Sequence, residues 1–175
     1  HNTGQTGGSV DADIDATEGW EISTGSETVV IAIIDTGVDW DHPDLAGNIW
    51  TNTDDPINGV DDDGNGYTDD YRGWDFSDND NNPMDYHGHG THCAGIAGAR
   101  GNNYTGVAGV SWYCKIMPVK IFPNAYDTVC ANAIIYAADN GAKVLSNSWG
   151  LDTPNIFPQL IKDAIDYAYN LGCLI

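Results

Sequence analysis

Basic residues are scarce in this chain: six Lys and Arg stand against 26 Asp and Glu in 175 residues, a formal net charge of −20. That balance argues against nucleic acid or an anionic membrane as a partner, since both are bound through a basic footprint. Long hydrophobic runs are lacking too. The longest, Val29 to Ile34, falls far short of the ~20 apolar residues of a membrane helix. The first residues do not pair a basic stretch with an apolar one, as a signal peptide does. Disorder is excluded by what remains: 41% apolar and 10% aromatic residues suffice for a buried core. The length suits one domain. Cations are the partners this charge invites.

One segment holds most of the acid. Between Asp35 and Asp85 there are 15 Asp, no Glu, no Lys and a single Arg, Arg72. A run of like charge usually marks a solvated or disordered stretch. Here Asp alternates with Gly and Asn, and Trp50, Tyr67, Tyr71, Trp74 and Phe76 punctuate the run. Those aromatics predict a folded loop region, and so much gathered negative charge requires a counter-ion. Calcium, which prefers oxygen ligands, fits. An acidic surface alone would explain the charge but not its alternation with Gly and Asn.

The pattern elsewhere predicts alternating strands and helices. Asp11 to Ile22 reads as a short helix with Ile14, Ala16 and Trp20 inward. Thr28 to Ile34 is apolar on both faces, the mark of a strand inside a parallel sheet. Gly88 to Ala99 reads as a helix of small residues, Cys114 to Phe122 as a strand to which Pro118 is an objection, and Asp127 to Asn140 as a helix ended by Asn140-Gly141. Lys143 to Ser148 predicts a third strand, Asn155 to Asn170 a helix, and Cys173-Leu174-Ile175 the start of a fourth strand. Such alternation implies βαβ units and a parallel sheet. A strand only beginning at the last residues, and no initiator Met, suggest a piece of a longer protein.

Asp35 follows an interior parallel strand, where open α/β sheets place their binding crevice. Asp35-Thr36-Gly37 is also the signature of aspartic proteases, which would here require a dimer because no second such tripeptide exists. His87-Gly88-His89-Gly90-Thr91-His92-Cys93 offers zinc-type ligands, but His89 and Cys93 share one helix face while His92 points elsewhere. The other reading pairs a helix-start His with Asp35, which would orient the ring as a general base.

Asp35-Thr36-Gly37, then His89-Gly90-Thr91-His92-Cys93-Ala94-Gly95, then Asn147-Ser148-Trp149-Gly150, in that order, resemble the subtilisin-like serine proteases. Asp before His fits that arrangement and not the chymotrypsin one. The resemblance spans essentially the whole chain. It implies an α/β, three-layer fold with a central, mostly parallel sheet flanked by helices, with residues 1–175 as the N-terminal part of one incomplete catalytic domain. It implies Asp35 and His89 as triad members, His92 as a structural histidine, and Ser148, Trp149 and Gly150 as a wall of the substrate site, which pairs with an extended polypeptide. The second pairing strand of the family corresponds to Phe122 to Asp127, here shorter and without Gly.

The nucleophilic Ser of the family lies in a Gly-Thr-Ser-Met-Ala segment, and none of the seven Ser here sits in one. The chain by itself is therefore expected to be inactive, completed by a C-terminal part of the same domain. The resemblance further implies a secreted protein and an inhibitory pro-region. The rival reading is a calcium-binding, catalytically inactive module on a protease scaffold. Cys93 lies one helical turn after His89. It is either a nucleophile partner of that His or, as in two branches of the family it resembles, a free packed cysteine; the pairing of the four cysteines is open.

Three calcium sites are expected. Asp61, Asp63 and Asn65 with Gly66 follow the spacing of an EF-hand loop, with Asp69 or Asp70 as the closing ligand because Arg72 stands at the twelfth position. Asp75, Asp78, Asp80 and Asn82 resemble a calcium loop of the family, whose last side-chain ligand would fall at Met84 and pass to Asp85 or water. Asp44, Asn103, Thr105 and Val107, with Gly101, resemble the family's strong calcium site.

Overall fold

The computed structural model describes residue 9, residues 13–150 and residues 157–175. Nine elements follow in order: α1 (Ala16–Ile22), β1 (Val30–Asp35), a 3-10 turn (Ala46–Asn48), β2 (Trp74–Asp75), α2 (His89–Gly98), β3 (Lys115–Lys120), α3 (Asp127–Asp139), β4 (Val144–Ser146) and α4 (Gln159–Asn170). The strands pair in parallel, in the order β2-β3-β1-β4.

Side-chain alternation builds three layers. In β1, Ala32 and Ile34 pack with Met117 and Val119 of β3, Ile134 of α3 and Ala164 of α4. Ile31 and Ile33 point the other way, to Ile116 and to Ala94 of α2. A strand apolar at every position is thus buried on both faces. In α2, Gly90, Ala94 and Gly98 are its buried residues, and a stripe this small lets the helix lie close on the sheet.

Several elements are shorter than the pattern predicts. Strand β4 covers three residues of the six expected. Leu174 makes one parallel bridge to Val144, the beginning of the further strand. The helix expected from Asn155 begins at Gln159, and residues 155 and 156 lie outside those described. Helix α1 begins at Ala16, and Ile14 is 73% exposed rather than inward. Trp20 instead meets Trp112 at a tilt, with ring centroids 4.8 Å apart, and donates to the Val110 carbonyl.

Pro118 lies inside β3 despite the objection. Its carbonyl would stand 1.9 Å from a Cβ on Gly73. Its backbone polar groups therefore face the β2 side, where that two-residue strand starts only after Gly73. The missing N–H breaks no bond to β1. Strand β2 itself carries no pattern that marks it within the aspartate-rich stretch. All four cysteines are free thiols, and among the described residues no helix is long and apolar enough to cross a membrane.

The aspartate-rich segment is folded, held by the aromatics that punctuate it. Tyr67 meets Trp74, Phe76 and Tyr136 of α3 edge-on, with centroids 5.0–5.4 Å apart. Beneath them Asp70, fully buried, accepts from the Tyr136 hydroxyl at 2.7 Å and from the Asn52 and Asn65 amides. Removing a donor to a buried carboxylate costs about 1–3 kcal/mol. Tyr136→Phe should lower the stability of the chain by that amount in urea unfolding; an unchanged midpoint would show that Tyr136 does not anchor the segment.

Candidate active site

Asp35 ends β1 with its carboxylate 1% exposed. Oδ1 accepts from the Thr36 backbone N–H and lies 2.7 Å from His89 Nδ1. Its other oxygen is buried without a partner. Gly37 (φ 100°) turns the chain away at once, because a Cβ there would stand 2.5 Å from the Pro83 carbonyl. His89 opens α2, next to Gly90, where a Cβ would stand 2.1 Å from the Gly37 carbonyl. Two glycines thus let a helix start approach a strand end. The His89 side chain remains 47% exposed: one ring nitrogen is anchored and the other edge is open to a reactant. The hydrogen bond and charge of Asp35 raise the His89 pKa above its ordinary value, with a slight opposing effect of burial.

Cys93 Sγ lies 4.0 Å from His89 Nδ1, the nitrogen already engaged by Asp35. A thiol on that side is badly placed to hand its proton to the free nitrogen, so the geometry favours the packed reading of Cys93 over the nucleophile. The histidines do not converge with one another; His89 is joined instead by Asp35 and Cys93, the ligand atoms of the three lying within 4.8 Å of one another. His92 is exposed and His87 meets His89 only ring to ring at 6.5 Å. Asp85, one of the two closing ligands considered for the second calcium loop, has both oxygens occupied by N–H and O–H donors around the start of α2.

On the substrate side, Ser148 and Gly150 are exposed. Trp149 is half-buried, its indole N–H donating to the Ile34 carbonyl at 3.0 Å. Trp149 and Gly150 share a cavity of about 310 Å³ with Phe122, Pro123, Tyr126 and Cys130. The two segments expected to flank an extended peptide therefore face one trough. Burial pushes the Cys130 thiol up to about 11, so it adds packing there rather than reactivity.

The three sets of metal candidates fare differently. Asp61 and Asp63 converge with Asp55, whose carboxylate oxygens come within 4.8 Å of theirs. No spacing rule marks Asp55, which lies ahead of the EF-like loop. Asp70 instead points to α3, joined to Asp63 through the Asn52 and Asn65 amides. Asp69 accepts from Asn58 and Gly59.

In the second set Asp75 is buried, with Oδ1 accepting from the Ser77 and Asp78 amides and Oδ2 2.6 Å from Lys120 Nζ. Asp78 lies 3.8 Å from the same ammonium, while Asp80 accepts from the Asn82 N–H. Burial disfavours a charged Lys120, but Asp75, Asp78 and Asp80 outweigh it and hold its pKa above the usual range. A lysine at the end of β3 thus faces carboxylates read as calcium ligands. Nothing in its sequence setting marks it.

In the third set Asp44 Oδ2 accepts from the Val107 N–H at 2.7 Å, while its buried Oδ1 has no partner. The loop with Asn103 and Thr105, linked by a Thr105 N–H to Asn103 Oδ1 bond, lies beside it. An unpartnered buried carboxylate oxygen is costly, and an oxygen-seeking cation such as calcium fits the donor set.

A model of the subtilase family matches residues 26–175. Thermitase of Thermoactinomyces vulgaris is 41% identical over 165 residues, 93% of this chain and 50% of that protein. Thermophilic serine proteinase of Bacillus sp. (strain AK1) is 40% identical over 159 residues, 89% of this chain and 34% of that protein. The chain thus spans half or less of the curated relatives it matches. Among solved structures, sphericase superposes with a TM-score of 0.66 at 32% identity over 86% of this chain and 45% of its own. Fervidolysin from Fervidobacterium pennivorans does so with 0.64 at 31% identity over 88% and 21%.

The Asp35 contact makes a testable statement about charge. A histidine whose folded pKa is raised adds stability below its unfolded pKa and loses it as pH rises through the folded value. Asp35→Asn should therefore lower the pKa of His89, read from its ring protons by NMR, and remove that pH-dependent contribution. A wild-type titration in the folded variant would contradict the pairing.

Proposed function

The chain belongs to the subtilase family, and from that premise we propose that it forms part of a secreted, calcium-stabilised serine endopeptidase that cleaves polypeptides through an Asp-His-Ser triad. The observation that carries the reading is the 2.7 Å bond from the half-exposed His89 ring to the buried Asp35 carboxylate. A carboxylate only accepts, so Nδ1 carries the proton and Nε2 keeps its lone pair. Nε2 would take the proton of a Ser hydroxyl as that oxygen attacks the peptide carbonyl, then return it to the leaving amine. Asp35 would hold the tautomer and stabilise the imidazolium. In this reading the Ser would come from outside these 175 residues, and the chain alone would be inert.

The trough between Trp149-Gly150 and Phe122-Tyr126 suits an extended peptide held by main-chain bonds. For calcium, the support is the unpartnered Asp44 Oδ1 and the convergence of Asp55, Asp61 and Asp63. Bound there, the ion would offset negative charge and hold the loops. The Asp75 set has its own cation in Lys120 and is the weakest of the three. Secretion accords with calcium supply and with the resemblance to extracellular proteases.

In the full-length protein, casein hydrolysis should stop on treatment with phenylmethylsulfonyl fluoride, and Asp35→Asn should lower kcat by about 10⁴-fold. Hydrolysis that survives the inhibitor would point to another nucleophile, and absence of any hydrolysis to the inactive calcium-binding module. EDTA should lower the melting temperature and calcium restore it, the bound ion stabilising the fold by about 2.7 kcal/mol at a hundredfold excess over Kd. An identical melting curve with EDTA and with calcium would overturn structural metal.

A further inference from the structure

We propose that Asp85 is a positioning residue for the Asp35–His89 pair, tying the strand end that carries Asp35 to the helix start that carries His89. The proposal rests on the triad reading of that pair and adds the group that sets its spacing. Asp35 and His89 are 54 positions apart and belong to elements with no covalent reason to stay in register. Where they meet, α2 has Gly88 as its N-cap, with no side-chain cap bond. The N–H groups at a helix start need acceptors from elsewhere.

Asp85, 9% exposed, supplies them. Its Oδ1 accepts from the backbone N–H of His87 at 2.8 Å and of Gly88 at 2.9 Å. Its Oδ2 accepts from the Thr91 N–H at 2.9 Å and the Thr91 hydroxyl at 2.7 Å. The fifth donor comes from the other side: the hydroxyl of Thr36, next to Asp35, reaches Oδ1 at 3.0 Å. Thr36 Oγ1 in turn accepts from the Gly90 N–H at 2.9 Å, and Thr91 Oγ1 accepts from the Asp39 N–H at 3.0 Å. One carboxylate therefore closes a ring through both neighbours of the pair, Thr36 beside Asp35 and Gly90 beside His89.

All five contacts are donors, so only the ionised carboxylate satisfies them. Burial pushes its pKa up, but the bonds from Thr91, Gly88 and His87 outweigh this and hold it below the usual carboxylate range. Asp85 makes no hydrogen bond to the His89 ring; it acts by placing the backbone beneath it. The titratable groups that act on that ring are Asp35, His87 and Cys93, together with the Asp85 charge itself, which also raises the His89 pKa; none of the other three duplicates the link to Thr36.

The test uses the full-length protein with Asp85→Asn, Thr91→Val and Thr91→Ser. Asparagine puts an NH2 group among donors and should lower kcat by about 10²-fold, the penalty of an ångström of misplacement, with KM little changed. Thr91→Val keeps the Asp85 charge and removes the hydroxyl that donates to Asp85 and accepts from the Asp39 N–H, which separates position from charge. It should lower kcat in the same direction, shift the His89 titration seen by NMR, and be reversed in Thr91→Ser. Wild-type kcat and His89 titration in a folded Asp85→Asn protein would overturn the proposal. If that variant does not fold, the same result for Thr91→Val overturns it. If the wild-type protein itself cleaves nothing, the triad reading fails, and the His89 titration in Thr91→Val, which keeps the Asp85 charge, still decides whether Asp85 sets the pair.

Discussion

Aspartate carboxylates satisfied by backbone N–H groups are the interaction on which the rest of this molecule depends. Fifteen Asp lie between Asp35 and Asp85 with one Arg for company, so ion pairs cannot balance them. Asp61 takes the amides of Gly64, Asn65 and Gly66. Asp55 takes those of Asp62 and Asp70, and Asp69 those of Asn58 and Gly59. Bonds to an ionised acceptor are roughly twice as strong as neutral ones. Each such carboxylate also curls its own stretch of chain into a turn, so the acidity that would unfold the segment shapes it.

Amides do not suffice everywhere, and the exceptions show where cations belong. Lys120 reaches from the end of β3 to the buried Asp75, an internal cation that joins the segment to the sheet. Breaking such a pair by removing one partner leaves an uncompensated buried charge, so Lys120 and Asp75 stand or fall together. Asp44 Oδ1 has neither amide nor lysine, and the Asp55, Asp61 and Asp63 oxygens face one another.

The same segment separates the two halves of the candidate site, and the layers bring them back together. Strand β1 is buried on both faces, and its last residue, Asp35, stands at the carboxyl end of the sheet. Helix α2 can reach it because the contacts are small: Gly90 against Gly37, Ala94 against the sheet. The aromatic knot of Tyr67, Trp74, Phe76 and Tyr136 pins the intervening loops to α3. What emerges at the surface is a ring with one nitrogen held and its other edge open.

Much of this was legible in the residues alone. The apolar run to Ile34, the helices around Cys93, Ile134 and Ala164, and the motifs holding Asp35 and His89 are local patterns, and local patterns are written in order along the chain. Pro118 misled only mildly, because its objection depends on which neighbour its nitrogen faces. Strand β2, Asp55 beside Asp61, Lys120 beside Asp75, and the inward turn of Asp85 were not legible. Each is a contact between residues whose separation is set by folding and carries no periodicity. The sequence by itself determined the fold class, the family and the chemistry available at Asp35 and His89. Only the tertiary structure decided which carboxylates meet an amide, which meet a lysine and which are left without a partner, because hydrogen bonds and charges act through space and not along the chain.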